Sequence, residues 1–522
     1  MLVKKKLFNC MKYAEFYCMK DCKVLKKGYN TFRNWILEAL DIDINNKWTT
    51  ASFADNYLKK QGCYDDVYAL SGNPQRFIMK CVVGGRTMMN SNKMSKFDSL
   101  DKNSDDYGKK MSDFDAVSLY PSAMDRMNGF LQGIPKILKQ SQKNMKFLEK
   151  CDGYFIKIKV LKVNKKRQFP LLSSINDDGV RVFSNDMENT IHYVDRYSFE
   201  DLIKFQDIDY EIMQGYYYDE GRNNKIKEVI NFLFNERLKK KKEHNPIQMV
   251  YKLVMNSSYG KSILKPIIDK EVIISDNKFR SYLIRNYNFI KEFSPMYQVD
   301  NFKQNWRIKE HKSINEHFNF CSVGVEILSM SKRIMNEVMC LGEDLNLKMY
   351  YQDTDSIHIN YDDIDVLKKE FKKVYGRELE GKKLGQLHID FDLKDDNGND
   401  CKNIYAEKSI FLGKKCYLDC LVGEGKDGKI YRGHHIRLKG VPNSTIKYTA
   451  KKMNVSLYGL YDMLYRGEKI RFDLLEGGKR VNFKFLNSGV VINMPSFHRD
   501  ICFLKNKQER KMRIPKNIKQ FS

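Results

Sequence analysis

Residues 347–360 read LKMYYQDTDSIHIN, in which two apolar arms flank an acidic centre of Asp353, Thr354 and Asp355. The arms are rich in Tyr and Ile, which is typical of β-strands. We therefore predict a hairpin that carries two carboxylates at its tip. Like charges so close together, among aromatic and aliphatic neighbours, destabilise a fold unless a cation compensates them. The segment indicates a site for a divalent cation.

A third carboxylate lies upstream in residues 113–124, which read DFDAVSLYPSAM. Phe114 and Val117 suit a short strand, and Pro121 suits the first turn of a helix. Asp115 is then expected near a strand end, beside the free N–H groups of a helix N-terminus. A metal ion held there can share a phosphate with those donors. An ordinary N-cap or turn aspartate is the alternative for this segment alone.

The three carboxylates Asp115, Asp353 and Asp355 together suit Mg²⁺. This ion prefers one or two carboxylates, water and the phosphate oxygens of a substrate. A single D-x-D string is weak support, because glycosyltransferases, primases and many turns share it. Its weight depends on the neighbouring motifs.

Residues 245–262 read NPIQMVYKLVMNSSYGKS and predict a helix that Asn245 caps. At about 100° per residue, one polar stripe of this helix about 60° wide carries Lys252, Asn256 and Tyr259, and the opposite stripe is apolar. The preceding segment, Asn224 to Glu243, also has helical periodicity and ends in a lysine run. We predict an antiparallel helix pair with its basic ends together. A solvated polar face without a ligand is the alternative.

The charge of the chain points to a polyanionic partner. Of 522 residues, 92 are Lys or Arg and 66 are Asp or Glu, which gives a net charge of +26. Nucleic acid and an acidic membrane surface are both compatible with that excess. No stretch approaches the roughly 20 apolar residues that span a bilayer, so an integral membrane protein is excluded.

The composition also indicates the cellular compartment and the positions of two loops. No secretory signal is recognisable, and the twelve cysteines show no zinc-type spacing, so we expect reduced thiols in an intracellular compartment. Two polar stretches, Asn90 to Asp106 and Lys394 to Lys402, predict loops or subdomain edges.

Taken together, the segments resemble the three polymerase motifs of family B DNA polymerases. Asp115 to Ser122 matches D-x-x-S-L-Y-P-S, Lys252 to Gly260 matches K-x-x-x-N-S-x-Y-G, and Tyr351 to Ser356 matches Y-x-D-T-D-S, in the order of the family. Lys415 to Tyr417 is similar to the K-x-Y motif that follows. Gly84 to Arg86 is comparable to the Gly-Gly-Arg element of the protein-primed viral and organellar branch, although Val82 replaces its usual aromatic residue.

The resemblance implies an α+β right-hand polymerase with an antiparallel-sheet palm, two-helix fingers and a thumb. The implied boundaries are an exonuclease remnant at 1–40, a connector at 41–110, palm with an insertion at 111–223, fingers at 224–262, further palm with an insertion at 263–400, and thumb with a basic C-terminal segment at 401–522. It implies template-directed addition of dNTPs to a primer 3′-OH.

Site residues follow from the resemblance, motif by motif. Asp115, Asp353 and Asp355 are the implied catalytic residues, and with Val117 they would hold two Mg²⁺ ions, which Mn²⁺ can replace. The implied nucleotide-binding residues are Ser118, Leu119, Tyr120, Arg237, Lys241, Lys252, Asn256 and Tyr259. The implied DNA-binding residues are Gly260, Ser356, Lys415, Tyr417, Arg437 and Lys439. The implied partners are primer–template DNA, dNTPs and a terminal-protein primer, with a monomeric chain and no membrane.

The segment from Tyr17 to Asp21 resembles the Y-x-x-x-D element that closes the family's 3′–5′ exonuclease site. Only sixteen residues precede Tyr17, and the D-x-E strings of the chain come after the first polymerase motif. We therefore expect a chain that lacks most of the proofreading domain and has no exonuclease activity.

Three alternatives to an active DNA polymerase account for less of the sequence, and the first of them is the one that we retain. A catalytically silent DNA-binding remnant need not keep Tyr120, Lys252 and all three carboxylates. A D-x-D glycosyltransferase leaves the Lys/Asn/Tyr stripe and the charge of +26 unexplained. Reverse transcriptases place two adjacent aspartates where this chain has Asp353-Thr354-Asp355.

Overall fold

A nine-stranded antiparallel sheet forms the centre of the molecule, and helices cover it. The computed structural model describes residues 9–45, 49–177, 179–265, 269–296, 304–313, 316–473, 483–485, 491–493, 498–504 and 507–513. The helices are α1 (Cys10–Leu40), α2 (Thr50–Lys60), α3 (Gly72–Ile78), α4 (Leu119–Arg126), α5 (Met145–Leu148), α6 (Arg196–Gln206), α7 (Lys225–Lys242), α8 (Gln248–Ser257), α9 (Asp276–Asn286), α10 (Cys321–Asp344), α11 (Asp363–Tyr375), α12 (Asn443–Lys452) and α13 (Leu457–Tyr465).

The strands of the first half are β1 (Thr87–Met89), β2 (Ser95–Asp98), β3 (Met111–Ala116), β4 (Phe130–Leu131), β5 (Lys136–Ile137), β6 (Gly153–Val163), β7 (Ser173–Ile175), β8 (Arg181–Phe183), β9 (Thr190–Asp195), β10 (Ile208–Tyr218) and β11 (Arg222–Asn223). Those of the second half are β12 (Asp269–Ser275), β13 (Ile290–Pro295), β14 (Asn305–His311), β15 (Met349–Asp353), β16 (Ser356–Asn360), β17 (Leu387–Ile389), β18 (Lys402–Gly413), β19 (Cys416–Glu424), β20 (Ile430–Leu438), β21 (Ile470–Asp473), β22 (Phe483–Phe485), β23 (Val491–Asn493), β24 (His498–Leu504) and β25 (Lys507–Arg513).

The central sheet has the order β1-β15-β16-β3-β18-β19-β20, with β17 paired to β3 and β2 paired to β18. The predicted hairpin is confirmed, since β15 and β16 pair antiparallel around the acidic tip. The predicted strand and helix at 113–124 are also confirmed as β3 and α4. Strands from both halves of the chain therefore meet at the predicted carboxylates.

A long buried helix supports one side of this sheet. Helix α10 is buried along most of its length and packs against α4 and α6. Arg222 joins it through a paired contact with Glu326, at 2.7 Å from Nη2 to Oε1 and 3.0 Å from Nη1 to Oε2. The Glu326 side chain is only 1% exposed, so this ion pair is a buried one.

The predicted helix pair is confirmed in α7 and α8, which pack on each other and on α4. Their apolar faces are buried in the main core, including Ile230 and Val254. The start of the second helix differs from the prediction, because α8 begins at Gln248. Asn245 does not cap it: its side-chain oxygen accepts the N–H of Ile247 at 3.0 Å and forms a turn before the helix.

The two segments between motifs each form a sheet of their own. The first contains the four-stranded sheet β5-β10-β6-β9 with α6, and the second contains the three-stranded sheet β12-β14-β13 with α9. The predicted loop at Lys394 to Lys402 is confirmed as turns in which Asp395 accepts backbone N–H groups. The loop predicted at Asn90 to Asp106 is partly wrong, because it contains β2. Phe97 of β2 is fully buried, and its packing outweighs the polar composition around it.

The boundary predicted at residue 401 falls inside the central sheet, because β18, β19 and β20 extend that sheet. Helices α12 and α13 and strand β21 then build a second core against these strands. Much of the basic end of the chain, including residues 514–522, lies outside the described residues. None of the twelve cysteines, all of which lie in the described residues, forms a disulfide. None of the described helices has the length and apolar character needed to cross a membrane.

Candidate active site

The hairpin β15–β16 and strand β3 bring the three predicted carboxylates to one end of the sheet. Asp353 ends β15, and Asp355 directly precedes β16. Strand β16 pairs with β3 so that Ser356 lies opposite Asp115. The N–H of Ala116 also donates to the Asp355 carbonyl at 2.8 Å. Asp115 and Asp355 are therefore neighbours on adjacent strands.

The electrostatics of these carboxylates differ. Burial, and then the charges of Asp355 and Asp390, raise the pKa of Asp115 to about 8. The pKa of Asp355 is also raised, mainly by burial. Asp353 instead has a cation, since Lys415 Nζ lies 2.7 Å from its Oδ1. Lys415 offsets this effect at Asp355 only in part, and among the described residues no cationic side chain forms an ion pair with Asp115, so a bound cation would favour the charged form of both carboxyls.

The donor chemistry of this site fits Mg²⁺. Carboxylate oxygens at one edge of an open cleft leave room for the water and phosphate oxygens that the ion prefers. The Val117 carbonyl accepts the Ser122 hydroxyl at 2.7 Å and keeps a second lone pair. The cleft has a volume of about 590 Å³, and its walls include all three carboxylates together with Ser356, Lys415, Tyr417 and Arg437.

The hairpin tip is held from behind by the Gly84 to Arg86 segment. The Thr354 N–H donates to the Arg86 carbonyl at 2.9 Å, and Thr354 has a left-handed φ of 64°. The buried Arg86 guanidinium donates from Nε to Gln352 at 2.5 Å. A Cβ atom on Gly85 would lie 2.4 Å from Thr354 Cγ2, whereas one on Gly84 would meet nothing within 4 Å. Gly85 therefore allows the close approach that sets the position of the tip.

An anion-binding arrangement lies beside the carboxylates at the N-terminus of α4. Ser118 begins the helix in the left-handed region with φ 49°, and no side chain caps its N–H groups. Arg237 Nη1 donates to the Ser118 hydroxyl at 3.3 Å, while its buried Nε has no partner. Uncapped N–H groups and a guanidinium favour a phosphate. Leu119 and Tyr120 form the first turn there.

The polar stripe of the helix pair faces solvent near this point. Lys252 and Asn256 are exposed on α8, and Lys241 is exposed at the end of α7. Tyr259 lies just beyond the end of α8 and stacks on Tyr120, with ring centroids 4.2 Å apart and an interplanar angle of 24°. Burial raises the pKa of Tyr120 above its ordinary value. The two aromatic residues, predicted from different motifs, thus form one contact. Gly260 follows directly.

Of the residues predicted to contact DNA, Lys415, Tyr417, Arg437 and Lys439 lie along β18–β20, whereas Ser356 begins β16 and Gly260 follows α8. The Lys415 N–H donates to the Tyr351 hydroxyl at 2.8 Å, and the Lys439 N–H donates to the Lys415 carbonyl at 3.0 Å. Arg437 and Lys439 are exposed. Tyr417 is only 4% exposed, and its ring centroid lies 5.0 Å from that of Tyr351, so its ring packs within the sheet.

The two residues predicted as an exonuclease remnant lie on the first helix. Tyr17 and Asp21 are exposed on α1 and do not line the cleft. Among the described residues, the one set of three ligand groups with atoms within 4.8 Å of one another is Asp113, His358 and His435. The motifs did not point to this set. Asp113 lies two residues before Asp115, and His358 lies two residues after Ser356, so each pair shares one face of its strand. This spacing was the signal in the sequence that could have pointed to the set.

An antiparallel sheet with clustered carboxylates, a helix pair beside it and two inserted sheets defines a right-hand polymerase. Solved structures of phi29 DNA polymerase share this fold. Its binary complex with primer–template DNA matches with a TM-score of 0.55 and 15% identity, over 87% of this chain and 66% of that one. Its ternary complex with incoming nucleotides matches with a TM-score of 0.54 and 16% identity, over 86% and 67%. The profile of the family "DNA polymerase type B, organellar and viral" matches residues 4–343. The chain belongs to that family.

A curated relative gives a second match. The DNA polymerase of Acidianus bottle-shaped virus (isolate Italy/Pozzuoli) is 29% identical over 192 residues, which are 33% of this chain and 25% of that protein. The matched part of the chain thus spans a quarter of this relative's length.

Proposed function

We propose that the chain is a DNA-directed DNA polymerase that adds dNTPs to a primer 3′-OH. Family membership and the right-hand fold support this function. The observation that carries it is the pair Asp115 and Asp355, both with a pKa raised mainly by burial, next to the uncapped N-terminus of α4. Such a site attracts a divalent cation and a phosphate together.

The metal-binding residues in this proposal are Asp115 and Asp355, with Asp353 in support and the carbonyl of Val117 as a further oxygen. They would hold two Mg²⁺ ions, which Mn²⁺ can replace. When bound, two such ions stabilise negative charge on the attacking and leaving oxygens of a phosphoryl transfer. The proximity of Lys415 to Asp353 reduces the charge that the cations must compensate.

The protein's own groups would position the nucleotide. Backbone N–H groups at Ser118 to Tyr120 would receive the triphosphate, and three cations, Arg237, Lys241 and Lys252, would neutralise it. Tyr120 would lie under the sugar and disfavour a ribose 2′-OH. Asn256 and Tyr259 would border the nascent base pair. Positioning and electrostatics supply most of the rate enhancement in phosphoryl transfer.

The DNA path in this proposal follows β18–β20. Arg437 and Lys439 offer exposed charges to the primer strand, and the residues that would line the path with them are Gly260, Ser356, Lys415 and Tyr417. The central sheet would be the palm, α7 and α8 the fingers, and residues after β20 the thumb. We propose a monomer whose partners are primer–template DNA, dNTPs and a terminal-protein primer.

Primer extension tests the proposed function. Purified chain with Mg²⁺ is expected to extend a primer with dNTPs and not with rNTPs. Asp355→Asn should lower extension at least about 100-fold while DNA binding in a mobility-shift assay stays intact. Asp392→Asn, which removes an exposed carboxylate of the same cleft, is the matched control and should retain activity. Binding without extension by the wild-type chain would instead favour a silent remnant.

We also infer that this 522-residue chain has no exonuclease activity of its own. Asp21 is exposed on α1 and does not line the cleft, and one carboxylate alone does not supply a two-metal site. A 5′-labelled single strand should stay intact with Mg²⁺ and purified chain. Degradation that Asp21→Ala abolishes would contradict this inference.

A further inference from the structure

Four polar side chains lie together beneath the cleft, on strands that the chain brings in from four places. Asp113 is on β3 and His358 lies opposite it on β16. Asp419 is on β19 and His435 lies opposite it on β20. Asp113, His358 and Asp419 are almost entirely buried, and His435 is partly exposed to the cleft. The proposed polymerase chemistry does not use any of them.

Asp419 orients both imidazole rings. Its Oδ2 lies 3.3 Å from His358 Nε2 and 3.2 Å from His435 Nδ1. Its Oδ1 accepts the Ser409 hydroxyl at 2.7 Å. Each ring therefore faces this carboxylate through one nitrogen. In a neutral ring that donates to Asp419, the other nitrogen, Nδ1 of His358 or Nε2 of His435, keeps a lone pair. Metal-binding histidines are oriented by a carboxylate in the same manner.

Two buried atoms of the cluster lack a hydrogen bond. His358 Nδ1 and Asp113 Oδ1 are buried without a hydrogen bond, and they lie 3.6 Å apart. Asp113, His358 and His435 each offer one atom within 4.8 Å of the other two. Ligands at about 2.0–2.2 Å from one tetrahedral ion are about 3.3–3.6 Å from one another. An ion among these atoms would satisfy groups whose isolation is otherwise costly.

We propose that Asp113, His358 and His435 bind a Zn²⁺ ion, with its fourth position open to the cleft. Two imidazoles and one carboxylate suit a borderline-soft transition metal, whereas Mg²⁺ prefers an all-oxygen set. The ion would tie β3 and β16 to β20. It would thereby hold the strand that carries Asp115, two residues from Asp113. The proposal does not depend on the proposed polymerase activity.

The competing arrangement is an ion-pair network without a metal. In it, a protonated His358 lies between Asp113 and Asp419, and these carboxylates, followed by Asp353, raise the pKa of His358 to about 9 against the effect of burial. The two arrangements differ in whether His358 Nδ1 carries a proton or binds a metal. Metal titration distinguishes them.

The test uses the full chain, freed of metal by a chelator and titrated with Zn²⁺ against a chromophoric competitor. A single equivalent should bind, and Co²⁺ at the same site should give the visible absorption of a four-coordinate ion. His435→Gln should weaken binding at least tenfold and remove that absorption. Asp419→Asn, which keeps all three ligands, should weaken binding about 10- to 100-fold. Circular dichroism of each metal-free variant establishes that it is folded.

Two matched variants separate this site from other sources of metal binding. His434→Gln removes the neighbouring imidazole, which also lines the cleft, and should leave binding unchanged. Asp115→Asn should likewise retain the ion, because the proposed ligands do not include Asp115. Absence of a bound equivalent in the wild type, equal affinity in His435→Gln, or loss of the ion in Asp115→Asn would each overturn the proposal. If the wild-type chain binds no equivalent of metal, the ion-pair network is the structure of this cluster.

Discussion

Replacement of Asp115 by asparagine should change how the stability of the metal-free chain depends on pH. The pKa of Asp115 is about 8 in the folded chain, against an ordinary value of 3.8. Between these values the folded chain binds a proton that the unfolded chain releases. The contribution of Asp115 to the free energy of unfolding therefore falls as pH rises, by up to about 1.4 kcal/mol per pH unit, and levels off near pH 8.

From pH 6 to pH 8 the full shift corresponds to about 2 kcal/mol. Asp115 is only partly buried, and solvent that reaches it reduces the expected change to about 1–2 kcal/mol. Asp115→Asn removes this term, so the variant should gain stability relative to wild type as pH rises. Groups that do not interact with Asp115 titrate alike in both chains and cancel in the comparison, whereas Asp355, whose charge acts on Asp115, is coupled to the change.

The assay is urea-induced unfolding in EDTA at pH 6, 7 and 8, with Asp392→Asn as the control for loss of an exposed carboxylate. The difference between Asp115→Asn and wild type should grow across this range, and the control should follow wild type. Added Mg²⁺ should stabilise wild type more than Asp115→Asn. A difference that stays constant from pH 6 to pH 8 would refute the reasoning.

Three further predictions follow from other contacts. Gly85→Ala places a Cβ against Thr354 and should lower primer extension at least about tenfold, while Gly84→Ala, whose Cβ meets nothing, should not. Arg222→Met leaves the buried Glu326 unpaired and should lower the free energy of unfolding by about 3–5 kcal/mol in urea titrations. Lys372→Met, in the exposed pair with Glu378, should change it by less than about 1 kcal/mol. Arg437→Gln removes an exposed cation and should reduce the slope of log K for DNA binding against log salt by about 1, measured by fluorescence anisotropy.

Local patterns predicted the elements that carry the motifs. The alternation around Asp353 and the strand-to-helix transition after Asp115 are properties of a few adjacent residues, and the structure confirms both elements. The helix pair was predictable for the same reason, because its apolar stripes repeat with the helical period. Within the helix pair, the predicted start of α8 was wrong, because the Asn245 side chain forms a turn before the helix.

Long-range packing was not predictable from these patterns. Strand β2 lies in a polar stretch, and only its pairing with β18 and the burial of Phe97 make it a strand. The contact of His358 with Asp419 joins residues 61 positions apart, and no spacing in the sequence reports it. Periodicity predicts which residues share a face, whereas strand order and sheet curvature decide which faces meet.

The order of strands in the central sheet also bears on how the chain reaches this structure. Strand β3 is synthesised early, but its partner β16 comes more than two hundred residues later, and β20 ends only at Leu438. The four-stranded sheet at 136–218 can form before later segments are synthesised, since all its strand pairings are within that segment. Because loop closure delays distant pairings, the inserted sheet should form on the ribosome while the central sheet is still incomplete. The carboxylates of the active site would then come together among the last events of folding.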